Sequence, residues 1–215
     1  MKRFFVSVVL LLVTVLCRAD HGRYYRGASA GASYTYVCWS ATYHGTYDSM
    51  VTAYDYKNTT GNQGIVVGNI SQTSGVHLFE VKILNGAYGS GTLGDVVGLV
   101  NSQTAVNLNG FVGVDAYGWS FFDYGSTNNI YHNNTGSGGV GAIGSPAYIW
   151  IKWDGSSGNI WVYLNGVIQN SGAPIATGVT GPVWPAAGNK MDEYIIQGNP
   201  ALMYGGGTGG LGWHN

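Results

Sequence analysis

The chain has 215 residues, of which 36 are glycine and 5 proline, a combined share below the roughly 25–30% that marks low-complexity disorder. Charged residues make up only 9% and the formal net charge is -1, which excludes a polyionic tail, while 45% apolar residues over this length suffice for one domain with a sizeable core. The glycines follow no three-residue period, so a collagen-like strand is excluded as well.

The first element is Met1 to Ala19. Lys2 and Arg3 precede an apolar run from Phe4 to Leu16, broken only by Ser7 and Thr14, and Cys17-Arg18-Ala19 puts small residues where a signal peptidase inspects the chain. The run is shorter than the roughly 20 residues that span a bilayer, so residues 1–19 read as a cleaved secretory signal peptide rather than an anchor. A lipoprotein reading through Cys17 fails, because Leu16 stands where that processing wants a small residue. Removing the leader deletes three of nine basic residues and none of ten acids, which leaves a charge of -4. That balance lacks the basic footprint of a nucleic-acid binder. The expected location is secreted, whether periplasmic or extracellular, with no stable membrane insertion once the leader is gone. Cys38 is then unpaired and reads as a small buried hydrophobe.

Residues 20–38 read as an N-terminal extension, 39–190 as a β-sandwich and 191–215 as a C-terminal strand with a glycine-rich tail. No stretch after Tyr24 sustains a 3.6-residue period, whereas period-two alternation is common and is bounded by Gly, Asn and Ser clusters. Phe79, Val81 and Ile83 share one face of a predicted strand, opposite Glu80 and Lys82. Ile149, Ile151 and Trp153 alternate with Trp150 and Lys152, and Ile160, Val162 and Leu164 with Trp161 and Tyr163. Asn165-Gly166 follows at once, the dipeptide preferred where both turn residues need positive φ. Shorter runs at 64–67, 96–100 and 110–114 read as further strands, and the glycine clusters at 136–144 and 205–212 as turns or tail. The fold class expected is all-β, a two-sheet antiparallel sandwich.

The order of these segments resembles a SPRY domain, particularly its bacterial and phage-borne versions. Ser74-Gly75-Val76-His77-Leu78-Phe79-Glu80-Val81-Lys82-Ile83 is similar to the family's "SGKxYFEVxI" strand, and Val97-Gly98-Leu99-Val100 to its "GVG" strand. The stretch from Gly113 to Phe122, with Tyr131-His132-Asn133, is similar to "LGxDxxGWSYY…YHN". Ile149 to Asp154, Ile160 to Val167 and Val183-Trp184-Pro185-Ala186 resemble "VIGVALDxxxGxLxFYxNGV…YPAV". The likeness covers about residues 61–188, and Trp39 to Gly75 resembles the leading strands of the bacterial forms. Ser145-Pro146-Ala147-Tyr148 departs from the family's "GDVI" lead-in, and Leu202 to Gly205 only loosely echoes the closing "VxxNFG". The resemblance implies two antiparallel sheets of concanavalin-like jelly-roll type, a binding surface of loops at one end, and no catalytic residue set.

The residues themselves carry no enzymatic motif. There is no His-Glu-x-x-His, Cys-x-x-Cys, Gly-x-Ser-x-Gly or phosphate loop, and the five histidines (21, 44, 77, 132 and 214) are scattered. Neither a metal nor a cofactor is expected. Glycoside hydrolysis needs two carboxylates held about 5–9 Å apart. Here the acids are isolated apart from Asp192-Glu193, which an extended backbone would point to opposite faces. Glycines beside or near Asp115 and Asp154 make them turn residues.

Binding has more support. Tyrosine and tryptophan offer large, stiff contact area with a polar tip, and they recur in predicted loops. The candidate ligand-contacting set is Tyr88, Asp115, Tyr117, Trp119, Tyr124, Tyr131 and His132, served by loops at 43–49, 85–95, 101–109, 115–135 and 168–181. Trp119, Trp153, Trp161 and Trp184 have core-filling as their competing role. The reading is a non-catalytic recognition module for a protein or glycan surface. The alternatives are a structural or assembly protein prone to self-association and, behind it, a polysaccharide-cleaving enzyme.

Overall fold

The computed structural model describes residues 39–50, 55–58, 62–83, 96–124, 127–140, 147–188 and 193–196. Residues 1–38, which take in the expected leader and the expected extension with Cys38, together with Tyr88, Asp192 and the expected tail at 205–212, lie outside the described residues. The architecture is two seven-stranded sheets. Sheet 1 runs β1 (Trp39–His44), β4 (Val66–Gly68), β13 (Trp184–Ala187), β6 (Val96–Val100), β7 (Gly118–Tyr124), β8 (Thr127–His132) and β9 (Thr135–Val140). Sheet 2 runs β12 (Val167–Ile168), β11 (Asn159–Leu164), β10 (Ala147–Asp154), β5 (Val76–Ile83), β14 (Glu193–Ile196), β3 (Asp55–Asn58) and β2 (Asp48–Met50). Every pairing is antiparallel, so the all-β sandwich expectation holds.

Period-two alternation builds the main core. Phe79 and Val81 of β5, Ile149, Ile151 and Trp153 of β10, and Ile160, Val162 and Leu164 of β11 turn inward from sheet 2. They meet Trp39, Val66, Val97, Leu99 and Phe121 from sheet 1. A one-residue slip would expose the whole set, so the burial pattern fixes the register of β10 against both neighbours. Trp153 donates its indole N–H to the Val179 carbonyl at 3.1 Å, which satisfies the polar atom of a fully buried ring. The Asn165-Gly166 turn forms as expected, with φ of 48° and 83°, and returns β11 to β12.

Two local expectations fail. The 110–114 run is a loop, because its apolar residues cover a sheet instead of joining one. The start of the 136–144 glycine cluster is strand β9, which no side-chain alternation could reveal. Glu80 takes the face opposite Phe79 and Val81 as the alternation expects, and is only 2% exposed there.

A second, smaller cluster lies on the outer side of sheet 1. Ile65 and Val67 of the β4 region, Val96 and Val100 of β6 and Ala186 of β13 face away from the main core. The segment between β6 and β7, residues 101–117, folds back over them with Val106 and Val112, and Leu108 and Phe111 pack alongside. This covering loop carries the outer part of the candidate site, Asp115 and Tyr117.

Candidate functional site

The covering loop is fixed by its own polar side chains. Asp115 accepts the Asn107 N–H at Oδ2 (2.6 Å) and the Tyr117 N–H at Oδ1 (2.9 Å), clamping the loop's middle to its exit. Gln103 Nε2 donates to the Gly68 carbonyl at 2.6 Å, and the Ser120 hydroxyl of β7 to the Val112 carbonyl at 2.5 Å. Gly113, at φ 94°, passes so close to the Tyr131 carbonyl that a Cβ there would lie 2.6 Å from its oxygen. The two-residue turn Asn133-Asn134, both at positive φ, ties β8 and β9 to the loop through N–H bonds to the Asp115 and Gly113 carbonyls.

At its middle the loop also meets the approach to β4 and the β1–β2 turn. Ile65 donates its N–H to the Leu108 carbonyl at 3.1 Å, and Thr46 N–H reaches Asn109 Oδ1 at 2.9 Å. The turn is itself held by Asp48, whose carboxylate accepts Gly45 N–H at 3.0 Å and Asn58 Nδ2 at 2.9 Å. Burial pushes the Asp48 carboxyl up to about 6, against the lowering effect of the Gly45 N–H, the Asn58 amide and the His44 ring. Two large side chains stand out from this frame: Tyr47 of the turn, 44% exposed, and Tyr117 at the loop's exit, 41% exposed.

The candidate residues do not form one patch. Strand alternation divides them between the two faces of sheet 1. Asp115, Tyr117 and Tyr131 belong to the outer, loop-covered side, where Tyr131 meets Phe111 edge-on at 5.3 Å and 86°. Trp119 of β7 and His132 of β8 are cross-strand partners on the inner side, stacked at 4.6 Å and 7°. His132 Nδ1 lies 2.9 Å from the Gly118 carbonyl, which fixes the ring's orientation. Tyr124 ends β7, paired with Thr127.

Trp119 and His132 line an open pocket of about 240 Å³ together with Ile130, Thr135 and Ser137 of β8 and β9. Its far wall is Ile175, Ala176 and Thr177, held in place where Ala176 bridges Ile160 of β11. The pocket therefore sits where β8 and β9 reach past the packed core. Ser137 escapes the sequence reading because it falls in the glycine cluster read as a turn, and Thr135 only closes the 115–135 loop range without being singled out.

The other two tryptophans with competing core roles also sit elsewhere. Trp184 packs partly buried against the outer cluster of sheet 1. Trp161 lies on the outer face of sheet 2, with Lys152 Nζ 4.8 Å from its ring centre. Among the described residues no three His, Cys, Asp or Glu side chains gather, and no helix is long and apolar enough to cross a membrane. The remaining strongly shifted acid near a turn, Asp154, is held down to about 2 by the hydroxyls and N–H groups of Ser156 and Ser157, in their order of effect beginning with the Ser156 hydroxyl.

No family model matches the chain, and no curated protein matches its sequence. Solved structures do. The SPRY domain of human HERC1 superposes with a TM-score of 0.61 at 15% identity, covering 74% of this chain and 96% of that one. The TRIM65 PSpry domain gives 0.57 at 12%, covering 76% and 90%. Stonustoxin gives 0.55 at 16%, covering 75% of this chain and 28% of its own. None of the three is described as bacterial or phage-borne. The fold of this chain is therefore a SPRY-like, concanavalin-type β-sandwich.

Proposed function

We infer that the chain is a non-catalytic recognition module that engages the surface of a partner protein through the outer side of sheet 1. The observation that carries this reading is the covering loop: a segment without regular structure, pinned by Asp115, Gln103 and Ser120, with exposed Tyr47 and Tyr117 beside it. Loops fixed on a rigid sandwich are where binding residues concentrate, and a prefixed loop loses little conformational entropy on contact. The SPRY-like fold and the scatter of the acids support the non-catalytic part. The reading includes export through the residue 1–19 leader, and it keeps the bacterial or phage-type assignment as part of the proposal.

A glycan partner is the narrower alternative, and a screen against arrayed surface proteins and glycans separates the two. Asp115 acts through the loop it clamps, while Tyr47 and Tyr117 make contact. Replacing both tyrosines with alanine is expected to weaken a captured protein partner about tenfold or more, without lowering the unfolding midpoint. Unchanged affinity for every captured partner would rule out this surface. A second reading, self-association, draws on the uncharged end strand β9. Light scattering on the purified chain tests it through the mass at high concentration.

A further inference from the structure

Sheet 1 ends at β9, whose sequence Thr135-Gly136-Ser137-Gly138-Gly139-Val140 contains no charge and no proline. It pairs with β8 on one side and, among the described residues, with no strand on the other. An end strand turns alternate N–H and C=O groups outward, and proteins ordinarily blunt such an edge with lysine, proline or a bulge. The register is regular from His132↔Thr135 through Ile130↔Ser137 to Asn129↔Gly138 and shifts only beyond that point. The open stretch is therefore short, regular and undefended over residues 135–138.

The inner-face residues of this stretch, Thr135 and Ser137, are the same two that line the pocket beside Trp119 and His132. Edge and pocket form one feature. When a peptide adds to a sheet edge, main-chain hydrogen bonds supply affinity and pockets for alternate side chains supply specificity. The lining contains no charged side chain, and at about 240 Å³ the pocket falls below the roughly 300–1,000 Å³ of drug-sized sites. A second copy of β9 would bring Thr135, Ser137 and, past the register shift, Val140, none with the bulk to fill the pocket.

We propose that β9 is a docking edge for an extended segment of a partner protein, which adds as an eighth strand and seats one aromatic or large aliphatic side chain between Trp119–His132 and Ile175–Thr177. The inference rests on the reading of the chain as a protein-recognition module and adds a surface distinct from Tyr47 and Tyr117. Ala176 is fixed to β11 by the Ile160 bridge, so the far wall is already formed before any peptide arrives.

The test is selection of displayed random peptides of about ten residues on the purified full chain, followed by titration of the enriched peptides. Enriched peptides should share an uncharged extended run with one large apolar residue, and their binding should slow amide hydrogen exchange at residues 135–138. Ser137→Lys introduces a charge beside the pocket and Thr177→Trp fills it. Both positions are exposed, so both variants should keep the unfolding midpoint while losing about tenfold or more in affinity. The Tyr47→Ala/Tyr117→Ala double variant should bind these peptides unchanged. Failure to enrich any peptide, or equal affinity in S137K and T177W, overturns the proposal. Peptides lost by the tyrosine variant but retained by S137K would leave the covering-loop reading standing and remove this one. A concentration-dependent dimer abolished by S137K would assign the edge to a second copy and overturn it too.

Discussion

The two outer faces of the sandwich solve one problem in opposite ways. β6 reads Val96-Val97-Gly98-Leu99-Val100 and is buried along its whole length, so its outward residues need a cover as much as its inward ones do. The covering loop supplies it, with Val106 and Val112 packed onto Val96 and Val100. The outer face of sheet 2 has no such cover among the described residues. It carries Tyr148, Trp150, Trp161 and Tyr163, half-buried, with Lys82 Nζ 5.3 Å from the Tyr148 ring centre and Lys152 over Trp161. Lysine stems shield the rings and their charges stay in water. A continuous apolar run thus marks a face that recruits a loop, and the recruited loop becomes rigid enough to recognise something. An alternating strand with aromatics and lysines marks a face that stands alone.

The sharpest way to break this contrast is to unseat the cover. Val112 is fully buried in the loop, and Val112→Asp would place an unpaired carboxylate there, at an expected loss of about 4 kcal/mol. Chemical denaturation measures the loss, and hydrogen exchange should show residues 101–117 opening while β10 and β11 remain protected. A uniform loss of protection would mean that the loop is part of the core rather than a cover on it.

Next in size is a pH effect on sheet 2. Glu80 stands opposite Trp150 in the β5–β10 ladder, its oxygens without hydrogen bonds of standard geometry. Burial pushes its carboxyl up to about 7 from the usual 4.5, an effect the Trp150 indole opposes. The folded state therefore holds this proton more tightly than the unfolded chain. The resulting stability is complete below about 4.5 and is lost as the pH rises through about 7, a change of about 3 kcal/mol. Glu80→Gln should match the native protein near pH 4 and exceed it by about that amount at pH 8, read as denaturation midpoints across that range. Equal midpoints at pH 8 would show that the carboxylate is solvated.

Much of the fold was legible because its signals are local. The β10–β11 hairpin and the Asn165-Gly166 turn declare themselves within 20 residues through alternation and positive-φ residues. The site was legible only in part. Trp119 and His132 were singled out together with Tyr117 and Tyr131, but pleating sends the two pairs to opposite faces, and a residue list carries no face until the strand ends are known. β9 was hidden because glycine gives no alternation, and although 175–177 lies within the 168–181 loop, its place opposite β8 and β9 is set by tertiary packing alone. Glu80 obeys the alternation, but burial on that face comes from its neighbours and not from its own strand.

Ser120 gives a smaller test of the cover. Its hydroxyl is fully buried and donates to the Val112 carbonyl, so Ser120→Ala leaves that oxygen unsatisfied at a cost of about 1–2 kcal/mol. The expected signature is faster exchange around residue 112 with little change elsewhere.

The smallest effect belongs to the uncovered face. Trp161→Ala removes a half-buried ring and the Lys152 contact over it, at an expected loss of about 1 kcal/mol in the denaturation midpoint. Because Lys152 and Trp161 are also cross-strand partners, Lys152→Ala should cost less in the Trp161→Ala background than alone. A difference of a few tenths of a kcal/mol between the two backgrounds would show the pair acting as mutual cover. Additivity would instead mean that each side chain is stabilised by the sheet alone, and the contrast between a covered and a self-covering face would reduce to one between apolar and polar strands.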